Sequence, residues 1–210
     1  VVVKAFEAAR EHARPVVIGD ASVVADAVRV CGSDLSVEAV DSVEAALAVV
    51  DAIPVLDLAN VDDLEYGVVR EEYGRASLAY VETAIDLAIE GTVDAIATAP
   101  INKQATRLAG AEHAGHTGLL AARTGTEEYS MMLIEEPLRV THVSTHVPLR
   151  EACDLVTTES VGSTIDVTHG ALRDLGIEEP SIAVAGLNPH ASDGGLMGEE
   201  DDAEIRPAVG

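Results

Sequence analysis

Residues 77–103, SLAYVETAIDLAIEGTVDAIATAPINK, decide the fold class because they join a helix, a strand and a polar loop in direct succession. Apolar side chains recur at helical spacing over residues 77–90, and Gly91 follows at the position that glycine favours after a helix. The apolar run at 93–97 predicts a buried strand, after which residues 98–103 form a polar loop. Such a succession is typical of layered α/β proteins.

The same alternation of apolar β-branched runs and Ala-rich amphipathic stretches continues on both sides of this segment. It predicts strands over residues 15–19, 53–58, 93–97, 129–134, 138–144 and 181–186, and helices over residues 1–13, 22–30, 77–90, 157–175 and 201–209, with one more helix after Lys103. We therefore expect α/β layers around a largely parallel sheet. Because the first helix is already under way at residue 1 and the last has barely begun, we also expect the chain to be the middle of a longer protein.

A polar turn flanked by glycines, residues 110–115, divides the chain into two halves. We place a domain boundary there. The first α/β domain is expected at residues 1–110, and the second, which carries two histidine loops, at residues 111–210. Both domains are expected to be incomplete.

Charge and composition narrow the classes of partner and compartment. The chain has 37 acidic and 13 basic residues, and its net charge of −24 argues against nucleic acid as a partner. Self-repulsion of this size is tolerated where salt is abundant, so a halophilic source is favoured over an ordinary acidic mesophilic protein. No apolar run is long enough for a membrane span, no signal peptide opens the chain, and the two cysteines lack CxxC spacing. We expect a cytoplasmic protein with no membrane partner.

Three loops share one plan, in which an apolar strand is followed by a small polar residue, a proline and further polar side chains. They are TAPINK (98–103), STHVPL (144–149) and GLNPHA (186–191). If the preceding strands are parallel neighbours, their carboxyl ends share one sheet edge, which would bring Lys103, His146 and His190 to one crevice. The alternative is that each loop only ends a strand, with proline withholding the donor for another ladder hydrogen bond.

Histidines at strand ends suit metal binding, but two imidazoles alone do not make a stable site. A third ligand would come from His116, Asp193, Glu199 or Glu200, from sequence outside this chain, or from a second subunit. The glycine-rich segment 193–198 precedes a predicted helix, so its N–H groups could also cradle a phosphate.

Five segments, read together, resemble the 4-hydroxythreonine-4-phosphate dehydrogenase family of vitamin B6 biosynthesis. They are TAPINK (98–103), GHT (115–117), MML (131–133), THVPLR (145–150) and GLNPHA (186–191), and their order and spacing also match. The resemblance spans nearly the whole chain. It implies a fold similar to that of isocitrate and isopropylmalate dehydrogenases, with two α/β/α domains, an active-site cleft between them and a homodimer partner that completes the site.

The resemblance also implies roles for particular residues. The family holds a divalent metal, here Zn, Mg, Co or Mn, through three histidines, of which two match His146 and His190 and the third is expected outside this chain. His116 and Thr117 match substrate-binding residues, and Lys103, in a motif typical of the family, is the candidate catalytic residue with no assigned role. The family's GDPxGIGPE opening and its last third, with most of the NAD site, are not in this sequence. The NAD-binding residues therefore stay unassigned, and we expect the chain alone to be inactive.

The reaction that the resemblance implies is the NAD-dependent oxidation of 4-phosphooxy-L-threonine, a phosphorylated small molecule, to a β-keto acid that then loses CO2. Relatives in the family oxidise 4-phospho-D-threonate or 4-phospho-D-erythronate, and the sequence does not distinguish these substrates. From another class, a metal-dependent hydrolase or lyase would use His146, His190 and a carboxylate such as Asp193 without nicotinamide. A non-catalytic binding module is the remaining alternative.

Overall fold

The computed structural model describes residues 1–113 and 115–210, and it divides into two compact units, Val1–Gly125 and Thr126–Gly210. This division falls after Gly125, whereas the sequence places a boundary at residue 110. The difference has a local cause, because an ion pair between Arg123 and Asp86 joins the helix His116–Thr124 to the first unit. That two domains enclose an active-site cleft stays a prediction.

The first unit contains a three-stranded parallel sheet. Its strands, in the order β1-β3-β2, are β1 (Val17–Gly19), β2 (Ser36–Val40) and β3 (Ala52–Asp57). Val17 pairs with Val55, and Val37 pairs with Ile53. The mixed α/β class and the strands predicted at 15–19 and 53–58 are confirmed. The sequence did not predict β2, because only two of its five residues are even half-buried and its apolar pattern is weak.

Helices cover this sheet and enclose the core of the first unit. They are α1 (Val2–Arg10), α2 (Ala21–Cys31), α3 (Val43–Ala46), α4 (Glu71–Ile89), α5 (Lys103–Leu108) and α6 (His116–Thr124). Val3, Phe6, Val28, Ile53 and Val55 form one buried cluster. Each such large side chain contributes about 1.5–3 kcal/mol when fully buried. The core residues on α1 and α2 lie in helices that were predicted from apolar periodicity, whereas α3 and α6 were not predicted.

The long helix α4 packs closely on α5 at a glycine. A Cβ added at Gly74 would lie 2.0 Å from the carbonyl oxygen of Ala105, so only glycine fits there. At its other end α4 stops before Gly91, whose φ of 73° is the left-handed conformation expected after a helix. The helix predicted at 77–90 is confirmed, and the structure begins it six residues earlier, at Glu71.

The second unit combines a hairpin with a long helix. Strands β4 (Met132–Glu135) and β5 (Leu138–Thr141) are antiparallel, and the helices are α7 (Leu149–Asp154), α8 (Thr158–Asp174) and α9 (Arg206–Val209). Thr157 caps α8 and forms a reciprocal capping box with Ser160. The helix predicted at 157–175 is thereby confirmed. The helix predicted at 201–209 begins as a wide (π-helical) turn, Asp201–Ile205, and continues into α9.

Two predicted strands are wrong in this structure. Residues 93–97 and 181–186 form no ladder with any described residue, and a strand requires a hydrogen-bonded neighbour as well as a suitable sequence. Residues 181–186 still alternate between exposed and half-buried positions, the pattern of an extended chain. The expected single parallel sheet edge that unites three loops is therefore not formed among the described residues, where β5 pairs antiparallel with β4.

Within the described residues, no helix has the combination of length and apolar character that crossing a bilayer would require.

Candidate functional site

The first unit presents a cavity of about 410 Å³ at the start of α6. Its walls come from α4, from the turn after α5 and from α6, with lining residues that include Leu78, Val81, Thr106, Glu112, His116 and Leu119. The Nε2 atom of His116 is buried and has no hydrogen-bond partner among the described residues. A buried nitrogen left unpaired costs about 1–3 kcal/mol, so its retention favours a ligand or water as its partner.

The N-terminus of α6 adds a favourable field to this cavity. Gly115 occupies the N-cap position with no side-chain cap, and the first turn contains no acidic residue. The free N–H groups of a helix start carry partial positive charge, which favours an anionic or strongly polar group. Thr117, the other predicted substrate contact, is exposed in this first turn. His116 lines the cavity and Thr117 does not, so the substrate contacts of both residues stay a prediction.

The carboxyl edge of the parallel sheet, in contrast, is occupied by the protein's own carboxylates. Asp20 is buried and accepts hydrogen bonds from the N–H groups of Asn60 (2.9 Å) and Val61 (2.5 Å). Asp57 accepts from the N–H groups of Ala21 and Ala59. Two carboxylates at this edge disfavour a phosphorylated ligand there.

Tyr80 lies on α4 beside Asp20. Burial, together with the negative charge of that carboxylate, raises the pKa of the Tyr80 phenol well above its usual range. The phenol therefore stays protonated at neutral pH and is not available as a general base.

Lys103 begins α5, next to the N-cap residue Asn102. The side-chain oxygen of Asn102 accepts hydrogen bonds from the N–H groups of Gln104 and Ala105, both at 3.0 Å. The Lys103 side chain is exposed and makes no ion pair with a described residue. It is not among the residues that line the His116 cavity. Its catalytic role stays a prediction.

His146 follows β5 in the second unit and has an unusual backbone. Its φ is 59°, in the left-handed region that a non-glycine residue seldom adopts. Pro148 then precedes α7 at the N-cap position. The ring is exposed and makes no hydrogen bond or ion pair with any described residue, so both of its nitrogens are free for a ligand.

His190 stands in a loop that Asn188 organises. The Asn188 side-chain oxygen accepts from the His190 N–H at 3.0 Å, and its backbone oxygen accepts from the Ala191 N–H at 3.0 Å. The Asn188 amide nitrogen donates to the carbonyl oxygen of Met197 at 3.2 Å. The His190 ring is exposed and has no described partner. This loop therefore has a fixed backbone and a free imidazole.

Left-handed backbone marks both histidines. Among the described residues, the non-glycine positions with positive φ are Ala59, His146, Ala191, Ser192 and Asp193. Four of these five are His146 itself or follow His190 directly. Such conformations cost on the order of 1–3 kcal/mol each and concentrate at functional sites, where surrounding contacts maintain them. This feature was not predicted from the sequence, since none of these residues is glycine, although His and Asp adopt the region more often than most other residues.

The two imidazoles fit part of a metal site. Neutral histidine nitrogens are good ligands for divalent transition metals, and both rings are accessible and unpaired. In the described part of the chain, no three His, Cys, Asp or Glu side chains lie close enough together to hold a metal ion. The alternatives considered from the sequence, His116, Asp193, Glu199 and Glu200, therefore do not complete a set of ligands with these histidines in this structure.

In the glycine-rich segment 193–198, two backbone amides have acceptors within the same turn. The N–H groups of Gly195 and Met197 both donate to the carbonyl oxygen of Ser192, at 3.1 and 3.0 Å. A Cβ at Gly198 would lie 2.2 Å from the Glu200 carboxylate, so a negative charge already stands against this turn. These contacts argue against a phosphate cradle here, and phosphate binding by this segment stays a prediction.

One buried residue of this loop region had no predicted role. Asp201 is 8% exposed and accepts a hydrogen bond from the Leu187 N–H at 3.3 Å. The sequence offered no signal for this contact, since it joins residues fourteen positions apart without a local motif.

Comparison with known proteins covers most of the chain. Residues 11–210 match the family described as pyridoxal phosphate biosynthetic protein PdxA. A curated relative from Clostridium botulinum, which carries the provisional name D-threonate 4-phosphate dehydrogenase, is 38% identical over 213 residues. A 4-hydroxythreonine-4-phosphate dehydrogenase from Desulfosudis oleivorans is 39% identical over 201 residues.

These matches cover 100% and 95% of this chain but only 64% and 60% of the two relatives. The chain thus spans less than two thirds of their length. Among solved structures, a 4-hydroxythreonine-4-phosphate dehydrogenase from Burkholderia phymatum superposes with a TM-score of 0.84 at 38% identity, over 95% of this chain and 61% of that one.

Proposed function

This chain belongs to the PdxA family, and on that premise we propose that the protein carrying it is a metal- and NAD-dependent dehydrogenase of a phosphorylated hydroxy acid. The observation that carries the proposal is the pair of free imidazoles, His146 and His190, each set in or beside left-handed backbone within a family-like string. The buried, unpaired Nε2 of His116 supports a polar substrate contact in the first unit.

In this proposal the histidines of the two units would have different roles. His146 and His190 would hold a divalent metal with a ligand from outside the chain. The bound metal would supply Lewis-acid stabilisation of alkoxide and enolate oxygens, while NAD would accept the hydride. His116 would hydrogen-bond the substrate through Nε2 and fix its orientation, and Thr117 would add a hydroxyl at the start of α6. The walls of the cavity that α4 provides would exclude water from that contact.

The names of two relatives each suggest a candidate substrate for this protein. We propose 4-phosphooxy-L-threonine, with subsequent decarboxylation, as the first candidate, in agreement with the relative from Desulfosudis oleivorans. The relative from Clostridium botulinum supports D-threonate 4-phosphate as the second. The two differ by an amine in place of a hydroxyl, so a site that hydrogen-bonds one of them discriminates against the other.

NADH formation tests this proposal. The purified intact protein, loaded with Zn²⁺, Mg²⁺, Co²⁺ or Mn²⁺ in separate samples, is mixed with NAD and either substrate, and absorbance of NADH is followed. We expect turnover with one of the two, and a loss of about 100-fold or more in kcat/KM for His116→Ala, the size found when a transition-state hydrogen bond is removed. Absence of NADH with both substrates and every metal would refute the dehydrogenase proposal.

We also propose that the protein is a cytoplasmic homodimer. Large apolar side chains of the hairpin are more than half exposed, namely Leu133, Ile134 and Leu138. Exposed apolar patches of this kind mark interaction surfaces. Sedimentation velocity of the intact protein is expected to give a dimer, and Leu133→Glu is expected to yield monomers.

The net charge of −24 supports the further proposal of a salt-adapted protein. The midpoint of thermal unfolding is expected to rise from low salt to molar KCl. A midpoint that stays constant over this range would refute salt adaptation.

A further inference from the structure

Asp201 joins the two ends of the segment that carries His190. Its Oδ1 atom accepts a hydrogen bond from the Leu187 N–H at 3.3 Å, three residues before the histidine. Asp201 itself lies at the start of the wide turn Asp201–Ile205 and is 8% exposed. The carboxylate is therefore a buried anchor for the chain that leads into the histidine.

Gly186 shows how closely this anchor packs. A Cβ added there would lie 2.7 Å from Asp201 Oδ1 and 3.0 Å from both the Cα and Cβ atoms of Ala191. The backbone at Gly186 thus fits between the carboxylate and the residue that directly follows His190. Asp201 thus contacts the chain before the histidine, Ala191 packs against the same glycine from after it, and a side chain larger than hydrogen at Gly186 would displace both.

Burial of this carboxylate is costly, and stability alone does not account for it. The Oδ2 atom is buried with no hydrogen-bond partner among the described residues. The neighbouring Arg206 pairs with Asp202 instead, at 2.7 Å. A buried carboxylate without a cation or a full set of donors destabilises the folded state, and such groups persist where they serve a role.

We propose that Asp201 is a positioning residue, which holds the backbone of residues 186–190 so that His190 is presented to the metal. The inference rests on the proposed metal-binding function for its consequence, and on the Leu187 and Gly186 contacts for its geometry. Outer-shell residues of this kind change metal affinity by about 10–100-fold without being ligands. A residue with a merely structural role would lower overall stability and leave the affinity of the folded protein unchanged.

The test compares Asp201→Ala, Asp201→Asn and the matched control Asp202→Ala in the intact protein. Asp201→Asn keeps an oxygen that can accept from the Leu187 N–H, and Asp202→Ala removes the same charge one residue away. Two quantities are measured on each folded variant: hydrogen exchange of the peptide that spans residues 186–190, and affinity for Co²⁺ by calorimetry. For Asp201→Ala we expect exchange in this peptide to be faster by about 10-fold or more, and Co²⁺ affinity to fall by about 10–100-fold.

Asp201→Asn and Asp202→Ala are expected to stay within about threefold of the wild type in both measurements, since each retains the acceptor for Leu187. If Asp201→Ala does not fold, Gly186→Ala provides a second test, because its Cβ displaces the same carboxylate. It should give the same faster exchange and weaker binding. The proposal would be overturned if Asp201→Ala showed the same hydrogen exchange and Co²⁺ affinity as the wild type. If Asp201→Ala does not fold, the same result in Gly186→Ala would overturn it.

The hydrogen-exchange measurement distinguishes a failure of this inference from a failure of the proposed function. If the wild-type protein binds no Co²⁺, the metal-binding function fails, and exchange alone decides whether Asp201 holds the loop. Faster exchange in residues 186–190 of Asp201→Ala would then still support positioning, and unchanged exchange would still refute it.

Discussion

The two units of this chain differ in the residues that adopt the left-handed backbone conformation. In the described part of Val1–Gly125, left-handed positions are carried by glycines such as Gly32, Gly91 and Gly125, with Ala59 as the exception. In Thr126–Gly210, His146, Ala191, Ser192 and Asp193 adopt the same region without being glycine. Both units also place glycines at left-handed positions, in the second unit for example Gly176 and Gly195, so the difference lies in the four non-glycine positions at or directly after its two histidines. Because such conformations concentrate at functional sites, the difference supports the proposal that the metal is held by the second unit.

The largest expected effect is a loss of stability from a substitution that disrupts the packing of the first unit. In Gly74→Ala the new Cβ would collide with the Ala105 carbonyl, which is backbone and cannot rotate away. We expect a loss of about 3 kcal/mol in the free energy of unfolding, the upper end for overpacked sites, measured by urea titration.

Gly162→Ala and Gly170→Ala are the matched controls, since both glycines lie in α8 of the second unit with open space around them. Each is expected to stabilise the protein by about 0.5–1 kcal/mol, because alanine favours helix over glycine. Equal effects at all three glycines would contradict the close approach of α4 and α5.

A smaller effect tests the strained backbone directly. Ala191→Gly relieves a left-handed alanine, as does Ala59→Gly in the first unit, and each should stabilise its unit by up to about 1 kcal/mol. Only Ala191→Gly is expected to weaken metal binding, by up to about 10-fold, because the backbone after His190 becomes freer. Urea titration and calorimetry check the two quantities. Weaker metal binding in both variants would contradict a site confined to the second unit.

The smallest expected effect concerns pH and the polar contacts of the second unit. Glu204 Oε2 accepts from the N–H (2.6 Å) and Oγ1 (2.8 Å) of Thr158, and these hydrogen bonds lower the pKa of Glu204 below its usual value. A carboxylate with a lowered pKa contributes stability above its unfolded-state pKa, and the contribution is lost as pH falls through the folded-state value.

Glu204→Gln is therefore expected to flatten the decline of the melting temperature as pH falls below the ordinary Glu pKa of about 4.3, because the folded-state pKa of Glu204 lies lower. Glu178→Gln, at an exposed position, is the control. The same pH profile in wild type and Glu204→Gln would show that this contact does not contribute.

Sequence patterns predicted the elements whose signals are local. Helices α2, α4 and α8 follow from apolar periodicity, with Gly91 marking the end of α4, and the strands β1 and β3 follow from short β-branched runs. Residues 93–97 and 181–186 have equally apolar sequences but pair with no described residue, and pairing depends on distant chain rather than on local composition.

The features of the candidate site likewise include some that the sequence predicts and some that it does not. The loop positions of His146 and His190 could be predicted, because a proline and small polar residues follow or precede them. The buried Nε2 of His116 and the carboxylate of Asp201 could not, since each results from packing between segments apart in sequence, and no pattern in the sequence predicted the left-handed φ of His146.

The central claim, that His146 and His190 are metal ligands, is tested most directly by Co²⁺ binding to the intact protein. Calorimetry and the visible absorption of bound Co²⁺ are compared for the wild type, His146→Ala, His190→Ala and the control His169→Ala, an exposed histidine on α8. We predict that each of the first two variants loses more than about 100-fold in affinity, beyond the usual range for outer-shell residues, and that His169→Ala binds as the wild type does. Equal affinity in all four proteins would contradict the claim.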